Sequence, residues 1–480
     1  MTATTNTQVK HYQMFIGGQW RDAASGETLD SVNPATEEVI ASIPNAGDAD
    51  IGLAVDAARE GFAEWQSLPP MRRAQIMREM SGRMAQNAEF IGRLDTEDSG
   101  NPIRTMLFEA RAAAGSFANN ADVSGQLAGR HFHTPANMVK VTHREPYGVA
   151  AKIIPFNHPY IFAAGVSALI GTGNAAILKP SEATSLTALE LARMAEGLFP
   201  AGMLNVVTGL GHTTGSAIVR HPGIPRIDFT GSVPTGKAIM REGAEHLKRL
   251  SLELGGKNPL IVFPDVDVEA STVACIKGMN LATTMGQSCQ SNSRVFVHED
   301  IYDRYLDQLV RGVEALKVGD PMQDDTDMGP MAFEAHYHRV MAYIESGKQE
   351  GARLLTGGGR PPHMAKGYYV QPTVFADVTM DMRIAKEEIF GPVISVLKWR
   401  DYDEMMRQAN DVGYGLAAHI WCKDIDMANR AARDVQAGIV YVNGEGGLGS
   451  PVPGYKNSSH GTVGDLASYT QEKCVQITLH

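Results

Sequence analysis

The chain has 480 residues, 43% hydrophobic and 20% charged, which suits a large folded core divided among about three domains. Its 54 acidic and 43 basic side chains leave a net charge of −11, which works against nonspecific attraction to nucleic acid or an anionic membrane surface. Four cysteines (Cys275, Cys289, Cys422 and Cys474) without a C-x-x-C pair argue against a disulfide framework or a zinc ribbon.

The opening MTATTNTQVKHYQMF has no apolar run of the secretory kind. Phe15 to Trp20 spells a small hairpin around Gly17-Gly18. Ile51, Ala54, Val55 and Ala58 fall on one helical face within 48–65, and 71–98 continues as one long amphipathic helix or a pair. The most apolar stretch, 160–170, is too short to span a bilayer. A cytoplasmic protein in a reducing compartment is therefore expected, with no membrane association and no nucleic-acid partner.

From Val149 to Glu253 the pattern alternates. Short apolar strands at 149–154, 175–179, 204–207 and 227–229 are separated by helical runs. Such alternation predicts right-handed crossovers and a mostly parallel sheet, hence a doubly wound nucleotide-binding domain. A second alternating region runs from Pro259 to Val442, with strands at 260–263, 295–297 and 439–442 and helices at 301–316 and 334–351. It predicts a second α/β domain. The stretch 444–454 is too rich in Gly and Pro for regular structure.

Several short motifs carry chemistry. Cys289, in Met-Gly-Gln-Ser-Cys, offers a thiol that can attack a carbonyl carbon, and Glu253, in Leu-Glu-Leu-Gly-Gly-Lys, offers a carboxylate that can activate water. A free cysteine is more often a buried small hydrophobe. Asn157, after the 149–154 strand, can donate to an oxyanion, although an Asn in a turn usually serves the backbone. His158, between two prolines and with no partner in view, reads as structural or pocket-lining. Gly231 to Ala238 nearly spells a P-loop but ends in Ala238, which has no hydroxyl for Mg²⁺, so a P-loop ATPase is not expected. Its strand-turn-helix setting still suits a pyrophosphate. Gly209 to Gly215 misses the dinucleotide fingerprint by one residue. Lys179 and Glu182 end a buried strand, where ligands bind in open α/β sheets, and a carboxylate there repels a 2′-phosphate. The fifteen histidines form no metal-binding cluster, so no metal is expected.

Taken together, the chain resembles the aldehyde dehydrogenase superfamily over nearly its whole length. The matching segments are Ile154-Pro155-Phe156-Asn157, Lys179-Pro180-Ser181-Glu182, Phe229-Thr230-Gly231-Ser232 with Gly236, Leu252 to Lys257, Gly286-Gln287-Ser288-Cys289 and Glu387 to Pro392. The resemblance implies an NAD-binding domain (1–124 and 145–254), a catalytic domain (255–455) and a small β oligomerisation arm (125–144 and 456–480), in a homodimer or homotetramer. It implies a small-molecule aldehyde substrate, with Cys289 as nucleophile, Asn157 and the Cys289 N–H as oxyanion donors, and Glu253 as the base that hydrolyses the thioester. Cofactor contacts are implied for Ile153, Pro155, Lys179, Glu182, Gly211, Gly231, Ser232, Gly236, Leu254, Glu388 and Phe390, with NAD preferred over NADP because of Glu182. Phe162, Ser288, Gln290 and the 444–449 stretch are candidate pocket neighbours, and the glycines there suggest a bulky or aromatic aldehyde.

The sequence departs from the family pattern in places. Ala282 and Thr284 stand where an aromatic and a polar residue are usual, Gln290 where a small one is, and Val463 where an acid is. Two other readings stand beside this one. A CoA-acylating relative would not need Glu253, and a non-catalytic descendant would not need Cys289, Glu253 and Asn157 together.

Overall fold

The computed structural model describes residues 9–444, 453–462 and 464–480. Two large sheets organise it. In the first, five parallel strands run side by side in the spatial order Arg249–Glu253, Arg226–Thr230, Val149–Ile153, Ala175–Lys179, Leu204–Val206. The Ala175–Lys179 strand is buried along its whole length, as a strand covered on both faces must be. The chain builds outward from Val149 through Ala175 to Leu204, then returns to add Arg226 and Arg249 on the other side. The switch point therefore lies between the Val149 and Arg226 strands, where a crevice opens at their carboxyl ends.

The predicted hairpin forms, with Phe15 opposite Trp20 and both Gly17 and Gly18 at positive φ, as a tight two-residue turn demands. It joins the first sheet through Phe15 opposite Val206. The helical stretches form as Asp48–Ser67 and the pair Pro70–Gln86 and Ala88–Ser99, which break at Asn87. The apolar stretch near 160–170 becomes two short helices, Pro159–Ala164 and Val166–Gly171. Among the described residues no helix is long and apolar enough to cross a membrane.

The second sheet has the order Arg353–Thr356, Thr373–Ala376, Val393–Trp399, Arg294–His298, Pro259–Val262, Ala417–Trp421, Ile439–Val442, parallel except for the Arg353 edge. Each large sheet has its own apolar core. A separate antiparallel ribbon pairs Met138–Pro146 with Thr470–Thr478 over nine residue pairs, Val141 opposite Val475. Before the ribbon's second strand in the chain, Tyr455–Lys456 pairs with Tyr414–Gly415, and Ser459–His460 adds to the first sheet beside Leu252–Glu253. Ser459–His460 thus extends the edge of the first sheet, while Tyr455–Lys456 and Tyr414–Gly415 form a small sheet of their own.

Candidate active site

The switch-point crevice is a cleft of about 590 Å³, lined by Ile153, Pro155, Phe156, Lys179, Glu182, Gly211, Gly231 and Ser232 among others. It shares Pro155, Phe156, Thr230, Gly231, Ser232 and Pro234 with a second cavity of about 380 Å³, which carries Asn157, Phe162, Leu254, Cys289, Glu388 and Phe390. The two form one continuous groove from the first sheet to the second.

Cys289 lines the second cavity, on a loop whose path is set by its neighbours. Met285 and Gly286 both take positive φ, and a Cβ on Gly286 would come 2.5 Å from the Gly391 carbonyl. Gln287 ties the loop down, donating to the Thr284 carbonyl and accepting from the Ala332 amide. The Cys289 carbonyl accepts from Asn258 Nδ2 at 2.8 Å. A Cβ on Gly256 would approach that same carbonyl to 2.1 Å, so the Gly-Gly of the Leu-Glu-Leu-Gly-Gly-Lys motif is required for the close approach of two backbones.

Asn157 is buried, and its Nδ2 donates to the Gln287 carbonyl at 2.8 Å. That bond uses one of its two amide hydrogens. Asn101 Nδ2 holds the Asn157 carbonyl at 2.9 Å.

The electrostatics of the pocket are set by carboxylates in a dry setting. Burial pushes the Cys289 thiol up to about 12, and the charges of Glu253 and Glu388 push the same way. Burial raises Glu253 to about 7, with Asp228 adding repulsion. Burial likewise raises Glu388 to about 7, against the pull of the Gly256 amide, which donates to its Oε1 at 2.8 Å. The thiol is therefore protonated at neutral pH, facing carboxylates poised to exchange protons.

The cofactor side has the features a dinucleotide needs. Ser232 caps the helix Val233–Gly243, accepting from Thr235 N, so the helix's first amides open into the cleft. Gly211 leaves open space, since an added Cβ there meets nothing within 4 Å. Lys179 is buried, donates to the Pro180 carbonyl and stands 3.6 Å from the half-exposed Glu182. The crevice therefore fits a dinucleotide, with acidic Glu182 at one end and Glu388 at the other.

Some expected residues sit elsewhere. Gly236 does not line the cleft; an added Cβ would meet Leu254 Cδ2 at 2.7 Å, so its smallness serves helix-to-loop packing. Ser288 and Gln290 are half-buried and line neither cavity; Gln290 Oε1 accepts from the Tyr441 hydroxyl at 3.4 Å. Residues 445–449 and Val463 lie outside the described residues. His158, read without a partner, has one: its Nδ1 is 2.7 Å from Glu109 Oε1, and its ring stands edge-on to Phe162. Glu109 lies on the helix Ile103–Asn120, far from His158 in sequence, which is why the local sequence did not reveal it.

The structure also adds residues the motifs missed. Phe156, Phe333 and Phe390 pack as an aromatic cluster with centroids 5.1 and 5.6 Å from Phe156. Burial lowers His336 to about 4, so it is neutral and its Nε2–H donates to the Phe390 carbonyl at 2.7 Å. His336, Arg339 and Tyr343 line the cavity from one face of the helix Glu334–Gln349. Their i, i+3, i+7 spacing was visible in the sequence and was the signal available.

A family model described as the aldehyde dehydrogenase family matches residues 20–478. The chain belongs to the aldehyde dehydrogenase family. It is 41% identical over 475 residues to a hydroxyisobutyraldehyde dehydrogenase of Mycolicibacterium austroafricanum, covering 97% of this chain and 94% of that one. The fold is similar to an aldehyde dehydrogenase of Bacillus cereus solved with NAD+, with TM-score 0.94, 37% identity, and 98% and 97% of the two chains covered. It is also similar to the indole-3-acetaldehyde dehydrogenase of P. syringae solved with NAD+ and IAA, with TM-score 0.93, 36% identity, and 99% and 98% covered. Membership carries the reaction class: this aldehyde dehydrogenase is an NAD(P)-dependent oxidoreductase acting on aldehydes.

Proposed function

We propose that the chain oxidises an aldehyde to a carboxylic acid through covalent intermediates on Cys289. The observation that carries this reading is the single groove in which Cys289, Asn157 and Glu388 face the cofactor crevice, with the Glu253 carboxylate acting on the Cys289 thiol.

The thiol gives its proton to Glu253, and its sulfur bonds to the aldehyde carbon to form a thiohemiacetal. The free amide hydrogen of Asn157 and the Cys289 N–H hold the resulting oxyanion. When bound, NAD would supply the hydride acceptor that this oxidation needs, the acyl group staying on Cys289 as a thioester. Glu253 releases the thiol's proton to solvent and, as a carboxylate again, takes a proton from water as the water oxygen attacks the thioester carbon; that proton then passes to the departing sulfur. The C–S bond breaks, the acid leaves and Cys289 is restored. Ile153, Pro155, Lys179, Glu182, Gly211, Gly231, Ser232 and Leu254 would hold the dinucleotide, with Gly236 packed against Leu254, and Glu388 and Phe390 would contact its nicotinamide end. NAD is preferred to NADP because Glu182 repels a 2′-phosphate.

The substrate is a bulky or aromatic aldehyde, met by Phe162, which lines the cavity, with Ser288 and Gln290 beside Cys289 in the chain as further candidates. The division 1–124 with 145–254, 255–455, and 125–144 with 456–480 is taken as cofactor domain, catalytic domain and arm, in a cytoplasmic homodimer or homotetramer. Exposed Ile477 on the ribbon and Leu479 just beyond it support self-association.

An aldehyde panel followed by NADH absorbance tests the reading. Turnover of benzaldehyde-sized substrates above short aliphatic ones is expected; the reverse order removes the substrate class. No NADH from any aldehyde, with NAD still bound, removes the activity. Acyl-CoA formed on adding CoA would replace hydrolysis with acyl transfer.

A further inference from the structure

Behind Glu253 lies a set of buried charged groups that the steps above do not use. Lys152, Asp228 and Ser251 stand in register across three parallel strands. Glu253 follows Ser251 by two residues and so projects from the same face of the sheet. Lys152 Nζ donates to Asp228 Oδ2 at 2.7 Å, and the Tyr469 hydroxyl donates to the same oxygen at 2.8 Å. The Lys152 and Asp228 side chains are only 12% and 7% exposed. A Cβ on Gly165 would come 2.8 Å from Lys152 Cε, so the turn between two helices presses directly on the lysine stem.

A buried ion pair loses solvation and gains little over an apolar pair of the same volume. Stability alone gives no reason to place one here, diagonal to the base. Burial pulls Asp228 upward, but Lys152, Tyr469 and Arg226 hold it below its ordinary value, so it is ionised. A permanent negative charge thus stands behind Glu253.

We propose that Lys152, Asp228 and Tyr469 are positioning residues for Glu253, forming a buried electrostatic seat that sets how readily the base takes and releases a proton during turnover. The proposal rests on Glu253 being the base. Ionised Asp228 repels the Glu253 carboxylate and favours its protonated form, while the Lys152 ammonium tempers that repulsion and Tyr469 fixes the Asp228 oxygen. The charge acting directly on Glu253 is Asp228, itself surrounded by Lys152, Arg226 and Tyr469, and Glu253 in turn acts on the Cys289 thiol; on the outer strand the uncharged Ser459 opposes Glu253, and His460 opposes Leu252 on the other face. Removing the Asp228 charge leaves Lys152 and Arg226 uncompensated on this face, so Glu253 should ionise at lower pH.

The test is the pH dependence of the steady-state rate that follows the NADH burst, in the full-length enzyme. In Asp228→Asn the acid limb should move to lower pH by about one unit. The double variant Asp228→Asn/Lys152→Met removes both charges, so its limb should move the same way but less. It also serves if the single variant, with its unpaired buried lysine, does not fold. An acid limb unchanged within error in a folded variant overturns the proposal. Glu253→Gln separates the two readings. If it leaves the steady state unslowed, the base assignment itself fails. If it slows the steady state while the Asp228 variants keep the wild-type limb, only the seat fails.

Discussion

At the scale of single residues, Cys289 holds its proton because burial and two nearby carboxylates oppose its ionisation together. A positive charge in the groove reverses part of that balance, and oxidised nicotinamide brings one. Alkylation of Cys289 by iodoacetamide should therefore be slow at neutral pH, accelerate as pH rises, and accelerate at fixed pH when NAD+ is added. An NAD+-independent rate measured by mass spectrometry would contradict this. Cys289→Ala should lower turnover by on the order of 10^4-fold or more, whereas Cys275, Cys422 and Cys474 should each be replaceable. Retained turnover would place the nucleophile elsewhere. Glu253→Gln should keep the NADH burst and slow the steady state by roughly 10²–10⁴-fold, the usual worth of a general base. Gly256 tests the backbone approach. Alanine there must displace the Cys289 carbonyl, and a shift near 1 Å at a reacting group costs about 10²-fold. Gly256→Ala should lose kcat/KM with little change in Tm; unchanged kcat/KM would show that the loop absorbs the methyl group harmlessly.

At the scale of elements, the site is an assembly of ends. The Val149–Ile153 strand delivers Asn157, the Arg249–Glu253 strand ends in the base, and the Val233–Gly243 helix opens its capped N-terminus to the crevice. These were legible because strand, turn and helix signals are local, and ligands gather at carboxyl ends of parallel strands. The helix Glu334–Gln349 was legible as a helix, but its cavity face was not, because which face meets a cavity depends on a sheet far away in sequence. Glu182 belongs to this scale, since the loop after Lys179 aims it at the crevice. Glu182→Ala should narrow the NAD over NADP ratio of kcat/KM by roughly tenfold, about 1.4 kcal/mol. An unchanged ratio would mean that another group selects the cofactor.

At the scale of the whole molecule, the ribbon of Met138–Pro146 and Thr470–Thr478 stands outside both cores, with Ile477 and Leu479 about half exposed. Apolar side chains on such a ribbon suit an interface between copies. Ile477→Asp should shift sedimentation toward smaller species while leaving the fold intact by circular dichroism; an unchanged profile would remove the ribbon from the interface. The sequence by itself determined the α/β class, the parallel strand segments, and the thiol, carboxylate and amide carried by local motifs. Periodicity and motif chemistry are properties of neighbouring residues, so they need no folded chain to be read. Only the tertiary structure decided that Gly236 packs on Leu254, that His158 pairs with Glu109, that His336 holds Phe390, and that Lys152 and Asp228 stand behind the base. Each of these joins residues from separate parts of the chain, and their burial and charge acquire meaning only where the folded sheets bring them within reach.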